Sequence, residues 1–161
     1  MKQALLAAVL LLLPTPTLAD PLPRVLVFDL EITDTSGEGE HPDHAGRLQR
    51  ITAVLAEGLA ASGRYAVTRV RETPLAAELP NAMRFCNGCE IDLGRKAGAD
   101  IVVTGFIHKI STLVLSMQII MRRTGDGEPA AVGVADIRGD NERSWRHGVE
   151  WLLRHRLAPP P

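Results

Sequence analysis

Gly98-Ala99-Asp100-Ile101-Val102-Val103-Thr104-Gly105-Phe106-Ile107 is the stretch that decides the fold. A glycine positioned to end a helix leads into an almost unbroken run of β-branched and apolar side chains. A run without polar alternation predicts a strand buried on both faces, the kind found inside a helix-covered sheet. Upstream, Val25-Leu26-Val27-Phe28, followed by Asp29-Leu30, reads the same way. Between the two runs, Leu48, Ile51, Leu55 and Leu59 recur at helical spacing. They predict an amphipathic helix from about Asp43 to Ala61, stopped by Ser62-Gly63. Tyr65 to Val70 alternates and predicts a second strand. Pro74 and Pro80 bracket a piece with room for one helical turn, and Cys86-Asn87-Gly88-Cys89 opens a short helix over about Glu90 to Ala97.

Downstream of the deciding stretch, Leu113–Arg122 and Ala130–Ile137 predict two more strands around the turn signal Gly125-Asp126-Gly127. Asp140 or Asn141 caps a last helix running to about Arg156, with Trp145, Val149 and Leu152 on its core face and Leu153 at the edge. Helices between the early strands imply parallel crossovers, and the last three strands imply an antiparallel meander. The expected fold is therefore α/β (α+β): a single domain with a five-stranded mixed sheet, packed by two long helices and one short helix.

The N-terminus reads as an address. Lys2 precedes an apolar run from Ala4 to Leu13, too short to span a bilayer, with Pro14, Pro16 and Thr17-Leu18-Ala19 after it. This predicts a signal peptide over 1–19 with cleavage near Ala19, and hence a periplasmic protein. The domain spans 20–157, and 158–161 is expected to be a disordered tail. No cysteine follows the apolar run and no later run is long enough to span, so no stable membrane anchor is expected. A net charge of −1 and 4% aromatic residues argue against a nucleic-acid surface.

Two resemblances follow from these phrases. The strand Val25–Leu30, the helix to Gly63, the strand Tyr65–Val70 and the Gly98–Gly105 phrase resemble the N-terminal α/β domain of TolB and CsgG-type domains. That resemblance implies a TolB N-terminal-like fold and a protein-interaction role in the envelope. Cys86-x-x-Cys89, Gly105-x-x-x-Lys109-x-Ser111 and Arg138-Gly139-Asp140-Asn141-Glu142-x-Ser144-Trp145 look like a small secreted proteobacterial family catalogued as a domain of unknown function. That likeness implies a periplasmic setting and brings no assigned activity.

Three places have chemistry to offer. Cys86 and Cys89 stand at a helix start, where a thiolate is stabilised. Export makes a structural disulfide chemically reasonable, while a redox-active pair and half of a metal site are the alternatives. His41 and His44 lie in the polar loop Thr33–His44 among Glu38, Glu40 and Asp43, types able to hold Zn or Cu, or to form a solvated loop. On the last helix, Trp151 falls off the core face near His155, and an exposed Trp there would anchor a partner. Asp29 and Glu31 share one face at the first strand's end, as an acid/base pair or as a polar strand terminus. A phosphate loop, a GxSxG elbow and HExxH are absent from the sequence. No catalytic residue and no cofactor is assigned. The expected function is a non-enzymatic periplasmic interaction or accessory module whose partner is an envelope or periplasmic protein. A thiol–disulfide oxidoreductase using Cys86 and Cys89 and a periplasmic metal-binding protein are the alternatives.

Overall fold

The computed structural model describes residues 20–39 and 41–159. The signal peptide expected over 1–19 lies outside the described residues, as do Glu40, Pro160 and Pro161.

The chain runs β1 (Arg24–Val27), β2 (Glu31–Asp34), α1 (His44–Ala61), β3 (Ala66–Arg69), three 3-10 turns, α2 (Cys89–Lys96), β4 (Ile101–Lys109), β5 (Val114–Arg123), β6 (Pro129–Arg138) and α3 (Glu142–Leu152). A π turn over Leu153–Leu157 continues α3. The sheet has six strands in the order β3-β1-β4-β5-β6, with β2 also paired to β4. The β1–β3, β1–β4 and β2–β4 pairs are parallel, and β4, β5 and β6 form the expected antiparallel meander.

The sixth strand is the difference from the sequence reading. The run Val25–Leu30 pairs as β1 only to Val27, and the chain re-enters the sheet as β2, with Glu31 beside Phe106 and Asp34 beside Lys109. β4 is long enough to hold β1 and β2 end to end along one edge. The polar residues Thr33 and Asp34 pair in β2 because the parallel ladder needs only their backbone. Their composition had placed them in a loop.

Strand alternation divides the core. Val25 and Val27 join Val103, Ile107, Leu115, Met117, Ile119 and Met121 on the face covered by α1 and α3, where Ile51, Leu55, Leu59, Trp145, Val149 and Leu152 pack. Leu26 and Phe28 point to the other face and join Ile91, Leu93 and Val102 under α2, with Val70 and Leu75 from the 3-10 turns. Gly94 lets α2 lie this close, because an added Cβ would stand 2.3 Å from Val102 Cγ1. The α2 layer stops short of the meander. There Phe106, Gln118 and Ile120 are only half covered, and Val132 and Val134 are exposed.

Candidate functional site

The carboxyl end of β1 is where parallel crossovers leave the sheet in opposite directions. α1 leads to β3 over one face, and α2 leads to β4 over the other. Open α/β sheets place ligands at such a switch point. Asp29 and Glu31 project here into a cleft of about 380 Å³, with Thr104, Gln118, Glu90 and Arg122 around it. Each carboxylate already has a cation. Arg71 donates to Asp29, Arg84 Nη1 donates to Glu31 at 2.9 Å, and Arg122 Nη1 donates to Glu90 at 2.7 Å. Glu31 also accepts the backbone N–H of Met83. The cleft thus ties the segment before α2 to the strand ends. Asp29 Oδ1 is buried and has no hydrogen-bond partner among the described residues.

Asn87 and Gly88 line the same cleft, and the cysteines that flank them, Cys86 and Cys89, are joined as a disulfide. The turn between them needs two left-handed residues, Asn87 at φ 52° and Gly88 at φ 107°. An Asn and a Gly adopt that region at least cost. Gly88 then caps α2. Cys86 Sγ lies 3.7 Å from Glu90 Oε2. A carboxylate at that distance opposes thiolate formation, against the helix N-terminus that favours it. Cys86, Cys89 and Glu90 are also the three-residue group whose potential ligand atoms lie within 4.8 Å of one another among the described residues.

His41 and His44 end on different jobs. Their rings are 5.2 Å apart, but His41 is exposed and its Nδ1 accepts the Asp43 N–H at 3.3 Å. His44 is buried, with Nε2 2.7 Å from Asp140 Oδ2 and its ring stacked on Trp145 at 5.7 Å. A carboxylate acceptor places the proton on Nε2. Arg47 lies over the other reach of Trp145, 4.9 Å from its centroid, and donates to Asp140 Oδ1 and to Asp43 Oδ2 at 2.9 Å. Asp140 thereby clamps the start of α1 to the start of α3, where Asn141 Oδ1 accepts the Ser144 N–H as the expected cap. From sequence alone, Asp140 is only a cap candidate and a member of a family phrase.

Lys109 makes a second clamp. Its side chain is buried and its Nζ reaches Asp34 at 3.1 Å, Glu38 at 2.8 Å and Ser36 Oγ at 3.0 Å. Hydrogen bonds from Ser36, then from Lys109, lower Asp34 to about 2. Lys109 and then Thr112 lower Glu38 to about 2. Glu38 and Asp34 in turn raise Lys109 above its ordinary value. The first half of the polar loop is therefore anchored on β4 and the β4–β5 turn.

Trp151 and His155 meet, with ring centroids 4.9 Å apart. Trp151 is half-buried against the main core, and it lines a groove of about 880 Å³ between α3 and β6, the last strand of the sheet. Arg138, Arg143, Arg146 and His147 give this groove a basic rim, with Glu150 as its acidic member on α3. His155 stands exposed on the π turn. Beyond it, Ala158 packs against the core, and Pro159 O accepts from Arg64 Nη1 at 3.1 Å.

A family model described as "Protein of unknown function (DUF2380)" matches residues 23–157. No curated protein matches the sequence. Among solved structures, the PelC dodecamer from Paraburkholderia phytofirmans is similar at TM-score 0.55 and 13% identity, over 82% of this chain and 85% of that one. The LpoB C-terminal domain from Salmonella enterica is similar at TM-score 0.54 and 17% identity, over 74% and 87%. TolB from Acinetobacter baumannii matches at TM-score 0.49 and 14% identity, over 84% of this chain and 29% of that one. At these identities the likeness is one of fold. No helix among the described residues is long and apolar enough to cross a membrane.

Proposed function

We propose that this chain, which belongs to the family described as "Protein of unknown function (DUF2380)", is a non-enzymatic interaction or accessory module of the periplasm. In this reading it contacts an envelope or periplasmic protein through the groove between α3 and β6. The observation that carries the reading is the groove itself: a half-buried Trp151 at the open edge of the sheet, lined by Arg138, Arg143 and Arg146 beside Asp136 and Glu150. Aromatic side chains in partly formed pockets, with Arg around them, are the residue types that dominate binding energy at protein interfaces. The carboxylates of the β1 cleft support the same reading from the other side. Asp29, Glu31 and Glu90 are each held by an arginine, which suits bracing better than proton transfer. PelC assembles as a dodecamer, so contacts between copies are a further mode for this fold.

The test is affinity capture of the protein from periplasm with crosslinking, beside Trp151→Ala and the double variant Arg143→Glu/Arg146→Glu. Reproducible partners that both variants lose support the groove. Identical capture by all three proteins, or no reproducible partner with the wild type, refutes it.

A further inference from the structure

Cys86, Cys89 and Glu90 meet where α2 begins. The left-handed turn at Asn87 and Gly88 brings both sulfurs to the first turn of the helix, and Glu90 is the next residue in it. The two sulfurs and a Glu90 carboxylate oxygen all lie within 4.8 Å of one another. Glu90 Oε1 accepts from Arg122 Nη1 at 2.7 Å, and Arg122 Nε donates to Gly127 O at 2.8 Å, so the carboxylate is fixed from the β5–β6 turn. Glu90 Oε2 faces Cys86 Sγ at 3.7 Å and accepts no N–H or O–H among the described residues. A sulfur in a disulfide carries no proton to donate. A carboxylate nine-tenths buried is thus aimed at two sulfurs that offer it no hydrogen bond, a costly placement in this form of the chain.

We propose that the reduced chain binds Zn2+ here, through Cys86 Sγ, Cys89 Sγ and Glu90 Oε2, and that the disulfide is the form that does not bind it. A dithiol reductant makes the change. Its two thiols give two electrons and two protons to the Cys86–Cys89 bond and leave as a disulfide. Zinc then displaces the two protons from the new thiols and takes both thiolates and the carboxylate as ligands. The geometry fits the ion. With Zn–S about 2.3 Å and Zn–O about 2.1 Å, a tetrahedral site sets sulfur and oxygen about 3.6 Å apart. The distance between Cys86 Sγ and Glu90 Oε2 is 3.7 Å. Two thiolates and a carboxylate this close repel one another, and a divalent cation reverses that sign. Thiolates disfavour the hard cations and the carboxylate disfavours Cu(I), which leaves zinc as the match. Arg122 orients the carboxylate from behind, as partners of metal ligands do. The first-turn N–H groups of α2 favour the thiolates. Both cysteines are half-buried, and Asn87 and Gly88 open on the cleft of about 380 Å³, which gives the ion a path and water the fourth position. None of the three ligands lines the α3–β6 groove, so the site stands or falls apart from the groove's role.

The purified protein, reduced with a dithiol and desalted anaerobically, is titrated with Co2+ and then with Zn2+. Co2+ should give the near-ultraviolet thiolate-to-cobalt absorption and the visible bands of a tetrahedral site, saturating at equal molar amounts, and Zn2+ should bleach both. The disulfide form and Cys86→Ser/Cys89→Ser should give neither. Glu90→Gln keeps the side-chain volume and a carbonyl oxygen for Arg122, and it should weaken Zn2+ binding about tenfold or more. Zn2+ should raise the melting temperature of the reduced wild type, because only the folded chain sets the three ligands together. X-ray absorption of the wild-type zinc complex needs no substitution and should show two sulfur neighbours with oxygen. The proposal is overturned by a reduced chain without cobalt bands, or by equal binding in the disulfide form. It is equally overturned if Glu90→Gln binds as tightly as the wild type, if zinc has four sulfur neighbours, or if zinc binds without raising the melting temperature.

Discussion

Replacing Asp140 with Ala tests whether the chain is clamped where α1 and α3 begin. The side chain of Asp140 is 4% exposed, and those of His44 and Arg47 are 9% and 5% exposed. Removing one member of a buried ion pair costs 3–5 kcal/mol, mostly because the surviving charge is left without a partner. Arg47 keeps one carboxylate, Asp43 at 2.9 Å, which is half exposed. The cost therefore belongs at the lower end, about 3 kcal/mol, or a fall in Tm of about 10 °C for a domain of this size. Arg47→Met in the same chain removes the stranded charge and keeps the aliphatic stem over Trp145. The double variant is then left mainly with an unpartnered His44, at about 1 kcal/mol. The double variant should be more stable than the single one. Urea titrations and thermal melts of the four proteins give the cycle. A single-variant cost below about 1 kcal/mol, or a double variant no better than Asp140→Ala, refutes the clamp.

Opening Cys86–Cys89 by reduction, or by Cys86→Ala/Cys89→Ala, should cost only about 2 kcal/mol for so short a loop. A larger loss in chemical denaturation would show that the bond braces more than its own turn. Gly105→Ala should cost about 1–3 kcal/mol, because the new Cβ would stand 2.6 Å from the backbone oxygen of Gln118 and 2.8 Å from Leu30. An unchanged melting temperature would contradict that packing. The Lys109 clamp sets a pH window. Asp34 and Glu38 titrate lower in the folded chain than when unfolded, so their contribution is full above about pH 5 and is lost as pH falls toward 2. Lys109 is raised, so its contribution is full below the ordinary lysine value and is lost as pH climbs past it. Urea midpoints of Lys109→Met between pH 2 and 6 should fall less steeply on acidification than those of the wild type. Identical slopes would refute the clamp.

The features legible in the sequence were those written in period and punctuation. The leucine spacing of α1, the apolar run of β4 and the hairpin glycines each follow from a local rule, and each stands where expected. β2 escaped because Glu31 and Asp34 are poor strand formers and Thr33 opens a polar run, all held by pairing to a strand about 75 residues away. The candidate residues were legible by type and not by company. His41 and His44 are three apart in sequence, yet one is exposed and the other is committed to Asp140, whose position no spacing rule reports. Lys109 appeared in a family phrase without its carboxylates. Asp29 and Glu31 line one cleft together with Asn87 and Gly88, the turn between Cys86 and Cys89, a meeting that no spacing in the sequence reports. Trp151 and His155 were placed together by helical geometry, and their rings do meet.

β4 is the spine of the sheet, and it is made late. Val25 meets Val67 of β3 early but reaches β4 only at Ile101, and Glu31 finds its partner only at Phe106. At ordinary synthesis rates of about 5–20 residues per second, β1 and β2 wait roughly 4–15 s for the strand that pairs both. During that interval the first half of the domain has one helix and a lone parallel edge to work with, and parallel pairing at long separation is intrinsically slow. Folding of the sheet is thus deferred by topology until nearly two thirds of the chain has been made.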